Sequence, residues 1–121
     1  MRSWFIAVIL LFVCTSANAQ NRELIISGVG ANSCADILKN YREGPKAMGY
    51  LIISWAEGFW SSLNAMMLQA GAPMLKNLGG DSDALIKVLM AECGRRPSDD
   101  FGLIVRDQFA KLPTFPNPRA K

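Results

Sequence analysis

One long segment, residues 47–69, dominates the hydrophobic pattern of the chain, and it contains no proline and no charge cluster. Its apolar residues recur at steps of three and four, as on one face of an α-helix. They are Met48, Ile52, Trp55, Phe59, Leu63 and Met66. Leu51, Ile53, Trp60 and Met67 widen this surface, and a narrower second face holds Ser54, Glu57, Gly58, Ser61 and Asn64.

A helix that is apolar over most of its circumference is typical of the centre of a helical bundle. A membrane span is the alternative, because residues 47–56 are nearly all apolar. Glu57 and the serines leave only about half of the roughly 20 uninterrupted apolar residues that a span needs. We therefore predict a buried central helix.

Three shorter amphipathic helices are predicted around the central one. Ser, Asp and Asn favour helix starts, whereas Gly and Pro favour helix ends. The first helix is expected to begin at residues 32–33, and the third to begin at residues 81–82 and to end at Gly94. The fourth is expected to have Ser98 as its N-cap. The apolar faces comprise Cys34, Ile37, Leu38 and Tyr41, then Leu85, Val88, Leu89 and Cys93, then Phe101, Ile104, Val105, Gln108, Phe109 and Leu112.

The same pattern divides the chain into a helical domain and its flanking segments. We predict an all-α, four-helix domain over residues 33–112. Residues 20–32 are expected to form an extended or loosely docked lead-in, because glycines interrupt any regular element. Residues 70–80 are expected to be an irregular loop and the most mobile part of the domain. Residues 113–121 are rich in proline and are predicted to be a disordered tail.

Residues 1–19 contain the three parts of a secretory signal peptide in order. Arg2 supplies the positive region, residues 4–13 the apolar region, and residues 17–19 the cleavage site Ala-Asn-Ala. Cys14 raises the alternative of a lipoprotein signal, which is disfavoured because a valine, not a small residue, precedes it. We predict export to the bacterial periplasm and a soluble mature chain without a membrane span.

Two cysteines remain after the predicted cleavage, Cys34 and Cys93. In an oxidising compartment such a pair is most simply a disulfide. A metal site is disfavoured because the chain has no histidine and no CxxC motif. A thiol nucleophile would lack an activating base. Because Cys93 lies on an apolar face, we predict a buried disulfide between the first and third helices.

The composition argues against several classes of function. Without Arg2 the chain keeps twelve basic and ten acidic residues, a balance too even for nucleic acid or an anionic membrane. The absence of histidine excludes Ser-His-Asp and Cys-His catalysis, and no phosphate-binding GxxxxGK[ST] motif is present. Burial could raise the pKa of Glu57 for acid–base work, but a structural role is the simpler interpretation. We predict a protein that is not an enzyme and needs no metal or cofactor.

Two groups of residues are candidates for packing and binding. Glycine inside a helix costs about 1 kcal/mol relative to alanine, so Gly58 predicts that another helix packs closely against the motif Trp55, Gly58 and Phe59. Methionines offer adaptable apolar surface, although core filling is the more common explanation. The two tryptophans of the central helix point to different sides, so one of them is expected at an interface. The candidate partner-binding surface consists of Trp60, Met66, Met67 and Met74.

The order of these motifs resembles a family of small exported bacterial proteins. Residues 33–38 (SCADIL), residues 55–59 (WAEGF), and Cys93 followed by Pro97 are similar to the HdeA/HdeB family of periplasmic acid-stress chaperones. The resemblance covers residues 33–112 and implies a small helical fold with one disulfide between the first and third helices. It also implies that apolar surface exposed in acid holds unfolding client proteins. A similar plan occurs in the Rap/Tai immunity proteins, which neutralise amidase toxins delivered by type VI secretion.

Three functions stay open at the level of sequence. A chaperone would bind many protein clients in acid, and without histidine its switch must rest on Asp and Glu, near pH 4 or below. An immunity-type protein would instead inhibit one toxin enzyme with a fixed surface at neutral pH. A structural periplasmic protein is the third hypothesis. The oligomeric state, including a homodimer, is open in each case.

Overall fold

The computed structural model describes residues 26–120. The predicted signal peptide (residues 1–19) and the start of the predicted lead-in (residues 20–25) lie outside the described residues. The elements are, in order, a 3-10 helix Gly28–Ala31, α1 Cys34–Glu43, α2 Pro45–Gln69, β1 Met74–Lys76, α3 Ser82–Arg95, α4 Phe101–Lys111 and β2 Thr114–Pro116. This arrangement confirms the predicted class, a small all-α domain with four helices.

Local sequence signals determine where α1 and α2 begin. The Ser33 hydroxyl accepts a hydrogen bond from the backbone N–H of Asp36 at 3.2 Å, which satisfies one of the free donors at the start of α1. Pro45 occupies the first turn of α2, where its missing N–H costs nothing and its fixed φ suits a helix. The break between α1 and α2 at Gly44 therefore follows from the local sequence.

The predicted C-terminal end of α3 and the predicted start of α4 are wrong. α3 continues through Gly94, because this glycine does not adopt the positive φ of a C-terminal cap. α4 has Asp100 rather than Ser98 as its N-cap. Carbonyl groups of the segment 97–99 accept hydrogen bonds from the first two backbone N–H groups of α1, at 2.8 and 2.9 Å. The segment 97–99 thus caps α1 instead of starting α4.

α2 runs through the centre of the domain and packs against the other three helices. The buried side chains form one cluster: Cys34, Ile37, Met48, Ile52, Ile53, Ala56, Trp60, Ile86, Leu89, Cys93, Phe101, Ile104, Val105 and Phe109. On α3 the buried face includes Ile86, whereas Val88 is exposed, contrary to the prediction. The buried face of α3 is rotated relative to the predicted face because α3 packs against α1 as well as against α2 and α4.

A disulfide joins Cys34 of α1 to Cys93 of α3, and both residues are fully buried. This confirms the predicted pairing. The two cysteines are 59 residues apart, and closing a loop of that length stabilises a domain by about 4 kcal/mol in the chain-entropy model. The disulfide therefore fixes α1 against α3 with α2 inside the closed loop.

The 3-10 helix is firmly packed and is not the loosely docked segment that was predicted. Gly30 is buried against the indole of Trp55, where a Cβ on Gly30 would lie 2.1 Å from Cζ2. Ile26 packs against Gly102 of α4, where an added Cβ would lie 2.6 Å from Ile26 Cδ1. Two glycines thus permit the close approach that holds this segment on α2 and α4.

Part of the predicted irregular loop forms β1, and part of the predicted disordered tail forms β2. The two strands pair in an antiparallel sheet, in which Leu75 pairs with Phe115. Buried Asn117 donates a hydrogen bond from Nδ2 to the carbonyl of Ala72 at 2.6 Å. The Asn64 side chain bonds both backbone groups of the β1 residue Lys76. Prolines exclude a helix here but not a short edge strand, so the sequence argument for disorder was incomplete.

No helix within residues 26–120 combines the length and the apolar character that crossing a membrane requires.

Candidate binding groove

The structure separates the four residues of the predicted partner-binding surface. Trp60 is 0% exposed, and its indole N–H donates to the Val105 carbonyl of α4 at 2.8 Å, so its assignment to that surface is wrong. Met67 is partly buried against the core. Met66 and Met74 are exposed, at 64% and 39%. Only these two methionines are well placed to contact a partner.

In the predicted packing motif, Trp55 and Phe59 have aromatic neighbours, whereas Gly58 does not pack against another helix, contrary to the prediction. Trp55 and Phe59 stack with ring centroids 5.3 Å apart, and Phe101 of α4 lies 6.0 Å from Trp55. Gly58 is exposed, and a Cβ at this position would have no neighbour within 4 Å. The close approach of α3 to α2 occurs at Gly49, where an added Cβ would lie 3.4 Å from Ile86.

A groove of about 520 Å³ lies between the first half of α2 and the start of α3. It has an apolar floor and a polar rim. The floor comprises Gly49, Ile53 and Ile86, and the rim comprises Tyr41, Lys46, Tyr50, Ser54, Glu57, Ser82 and Asp83. The groove could not be predicted from the sequence, because its residues come from two segments about thirty positions apart. No local pattern in either segment indicates that it lines a groove.

Two large apolar side chains stand exposed beside the groove on the outward face of α2. Tyr50 is 72% exposed and lines the groove, and its neighbour Leu51 is 50% exposed. Adjacent exposed apolar residues at a concave site are typical of a protein–protein contact. Glu57, on the same rim, is exposed and is not buried.

An ion-pair cluster joins the end of α3 to α4. Arg96 donates to Asp99 at 2.6 Å and to Asp107 at 2.7 Å, and Arg106 also bonds Asp107, at 2.9 Å. The hydrogen bond from Arg96, followed by that from Arg106, lowers the pKa of Asp107 from its ordinary value of 3.8. The cluster thus favours the ionised carboxylate.

Glu92 forms a second connection at the same junction. Its carboxylate pairs with Arg95 on α3 and with Lys111 on α4, the latter at 3.6 Å. The hydrogen bond from Arg95 is the main reason why the pKa of Glu92 lies below its ordinary value of 4.5. Both cross-helix connections therefore require ionised carboxylates.

Between residues 26 and 120, no three Cys, Asp or Glu side chains are grouped so that they could hold a metal ion. Comparison with protein-family models, with curated proteins and with solved structures found no match for the chain. The groove, the exposed apolar residues and the ion-pair cluster are therefore the features that bear on the function of this protein.

Proposed function

We propose that this protein is a small exported, non-enzymatic binding protein that acts as an acid-stress chaperone, similar to the HdeA/HdeB family. It would hold unfolding clients through apolar surface that becomes exposed at low pH. The supporting observation is the position of the ion pairs: all those within residues 26–120 lie between Glu92 and Lys111, at the α3–α4 junction.

The direction of the pH effect follows from the lowered pKa values. A carboxylate whose pKa is lower in the folded chain contributes stability above its unfolded pKa, and this contribution is lost as the pH falls through the folded pKa. For Asp107 and Glu92 the loss thus begins near pH 4 and is completed below it. No histidine is present to titrate at a higher pH.

The disulfide determines which helix can be released at low pH. Cys34 and Cys93 restrain α1 and α3, whereas α4 follows Cys93 in the chain and lies outside the closed loop. Noncovalent contacts alone hold α4, and the ion pairs are the part that protonation removes. Protonated carboxylates also leave the basic residues unopposed, and their repulsion favours expansion. Release of α4 would expose its buried face, which includes Phe101, Ile104 and Phe109.

The proposal is tested on the oxidised protein from residue 20 to its end. Near-ultraviolet circular dichroism and binding of a hydrophobic dye are followed from pH 7 to pH 2, and aggregation of an acid-sensitive enzyme is measured at pH 3. We expect loss of the tertiary signal, dye binding and suppressed aggregation over the same pH range. A protein that stays packed at pH 2 and protects nothing would refute the proposal.

A matched pair of variants tests the role of the junction. Asp107→Asn removes the carboxylate that bonds Arg96 and Arg106, so dye binding should begin at a higher pH than in the wild-type chain. Asp100→Asn makes the same chemical change about two helical turns away. The Asp100 side chain caps no N–H group and forms no ion pair with another described residue, so its variant should behave like wild type.

The groove supports a second candidate, an immunity-type inhibitor of one toxin enzyme, because it presents the exposed Tyr50 in the folded protein. This candidate predicts that the chain protects cells from a peptidoglycan amidase encoded beside it. Tyr50→Ala should abolish that protection, whereas Phe115→Ala, an exposed aromatic change on β2, should not. Equal protection by both variants would count against the groove as the inhibitory surface.

A further inference from the structure

We propose that the groove between α2 and α3 binds a short peptide with free termini, with the peptide carboxylate at Lys46 and its amino group at Glu57. Lys46 and Glu57 are the only charged residues of α2, and they have opposite signs. Both are exposed and line the groove. Neither forms an ion pair with another of residues 26–120, so both charges are available to a ligand.

The spacing of the two charges determines the length of the ligand. Eleven residues correspond to three helical turns, which places Lys46 and Glu57 within about 20° of each other around α2 and about 16 Å apart along it. Gly49, Tyr50 and Ile53 lie between them and also line the groove, so the groove runs along α2 from one charge to the other. An extended chain covers about 3.3 Å per residue, so a peptide of about five residues connects the two charges.

The start of α2 determines the direction of the peptide. No side chain caps the first N–H groups of α2, so the positive end of its helix dipole adds to the charge of Lys46 and favours a carboxylate there. The groove also contains Asp83, which lies in the first turn of α3, where the dipole of that helix offsets part of its charge. Glu57 lies in the middle of α2 and has no such compensation. The amino group of the peptide is therefore expected at Glu57.

The floor of the groove suits an apolar residue in the middle of the peptide. Ile53 and Ile86 are buried beneath it, and the Tyr50 ring, 72% exposed, stands at its side. Ser54 and Ser82 provide hydroxyl groups in the lining for hydrogen bonds to the peptide backbone. An apolar floor with a few polar groups is the usual composition of a ligand site, and about 520 Å³ is an ordinary volume for one.

Charge complementarity favours a free peptide over an internal segment of a folded protein. An internal segment has no terminal charges, so it would need an acidic and a basic side chain at the correct spacing to match both ends of the groove. Every free peptide of about five residues carries both charges. This inference depends on neither function proposed above, because it concerns the folded protein at pH 7 and requires no toxin.

Peptides with blocked termini test the proposal on the oxidised chain from residue 20. The amide resonances of the 15N-labelled protein are followed at pH 7 during titration with Ala-Ala-Leu-Ala-Ala and with its N-acetylated, C-amidated and doubly blocked forms. A Kd of about 0.1–1 mM is expected for the free peptide. Either single block removes one exposed ion pair and should weaken binding about two- to fivefold.

Neutral variants assign each terminus to its partner. Lys46→Gln should weaken binding of the free peptide about two- to fivefold but should not affect the C-amidated peptide, which has already lost the same contact. Glu57→Gln should show the corresponding pattern with the N-acetylated peptide. Lys87→Gln neutralises an exposed lysine of α3 outside the groove and should leave the affinity for all four peptides unchanged.

Three results would overturn the proposal. If the resonances of Gly49, Tyr50 and Ser54 do not shift with up to about 5 mM free peptide, the groove is not a peptide site. If the free and the doubly blocked peptides bind equally, the terminal charges are not recognised. If Lys46→Gln weakens binding of the amidated peptide as much as that of the free one, Lys46 does not contact the carboxylate. The dispersion of the amide spectrum shows directly whether each variant is folded.

Discussion

Gly58→Ala is expected to stabilise the domain, although the sequence pattern had assigned this glycine to helix packing. Gly58 lies in the middle of α2, and a Cβ at this position would have no neighbour within 4 Å. The substitution therefore adds helix propensity without a steric cost. In an exposed helix interior the gain is about 1 kcal/mol, which corresponds to a rise in Tm of about 4–8 °C for a domain of this size.

Gly102→Ala makes the same change in another helix and should have the opposite sign. Its added Cβ would lie 2.6 and 2.8 Å from two carbon atoms of Ile26 and 3.1 Å from the carbonyl oxygen of Gly30. Overpacking of this kind typically costs 1–3 kcal/mol, so a net loss of about 1–2 kcal/mol is expected after the gain in propensity. Ile26→Ala removes the two shortest contacts, and in that background Gly102→Ala should become nearly neutral.

Thermal unfolding, followed by far-ultraviolet circular dichroism at pH 7, measures both effects on the oxidised protein at one fixed concentration. The comparison is internal because both variants exchange glycine for alanine within α-helices. A lower Tm for Gly58→Ala would show that another part of the protein packs against this face and would refute the argument. An unchanged or higher Tm for Gly102→Ala would contradict the close docking of the 3-10 segment.

Three further effects are expected. The difference in Tm between wild type and Asp107→Asn should be largest at pH 7 and should shrink as the pH falls below about 4, because the pKa of Asp107 is lowered in the folded chain and its contribution is lost as the carboxylate is protonated. Replacing Cys34 and Cys93 together by alanine should lower the free energy of unfolding in urea by about 4 kcal/mol, and a much smaller loss would contradict a fully formed disulfide. Asn117→Ala leaves the Ala72 carbonyl without its donor and should cost about 1–3 kcal/mol by the same measurement, whereas no loss would mean that the β1–β2 sheet does not depend on this residue.

Features that depend on residues close together in the chain were accessible from the sequence. The start of α1 follows from the Ser33 side chain and the nearby Asp36 amide, and the break before α2 follows from Gly44 and Pro45. The disulfide was also predictable, because only two cysteines remain after the predicted cleavage and an exported chain favours their pairing. Each of these predictions needs only local geometry or a count.

The side of α2 that faces solvent could not be predicted from the local sequence. α2 is apolar over most of its circumference, so periodicity alone does not separate Trp60, which is buried, from Met66, which is exposed. The structure resolves the ambiguity because α4 supplies the Val105 carbonyl that the Trp60 indole needs. A buried tryptophan requires a hydrogen-bond acceptor, and the location of that acceptor, 45 positions further along the chain, is not a local property.

The pairing of β2 with β1 also could not be predicted from the local sequence of the tail. Its prolines correctly exclude a helix after Leu112, but they do not determine whether an extended segment finds a partner strand. That partner is β1, about forty residues earlier, and its own local sequence, with Pro73 and two nearby glycines, resembles an irregular loop. Two segments that alone predict a mobile loop and a disordered tail become ordered together, since their paired backbone groups satisfy one another.

The position of the disulfide and of the sheet also determines how far acid can open the domain. α4 is flanked by a disulfide-fixed helix on one side and by β2 on the other, so its release must break the α3–α4 ion pairs and the pairing of β2 with β1. Protonation removes the ion pairs directly, but it leaves apolar packing and the backbone hydrogen bonds of the sheet intact. Repulsion among the remaining positive charges must supply the rest. That repulsion grows with each carboxylate that is protonated and is complete only when the ion-paired carboxylates, whose pKa values are lowered, are also neutral, so opening of α4 is expected below pH 4.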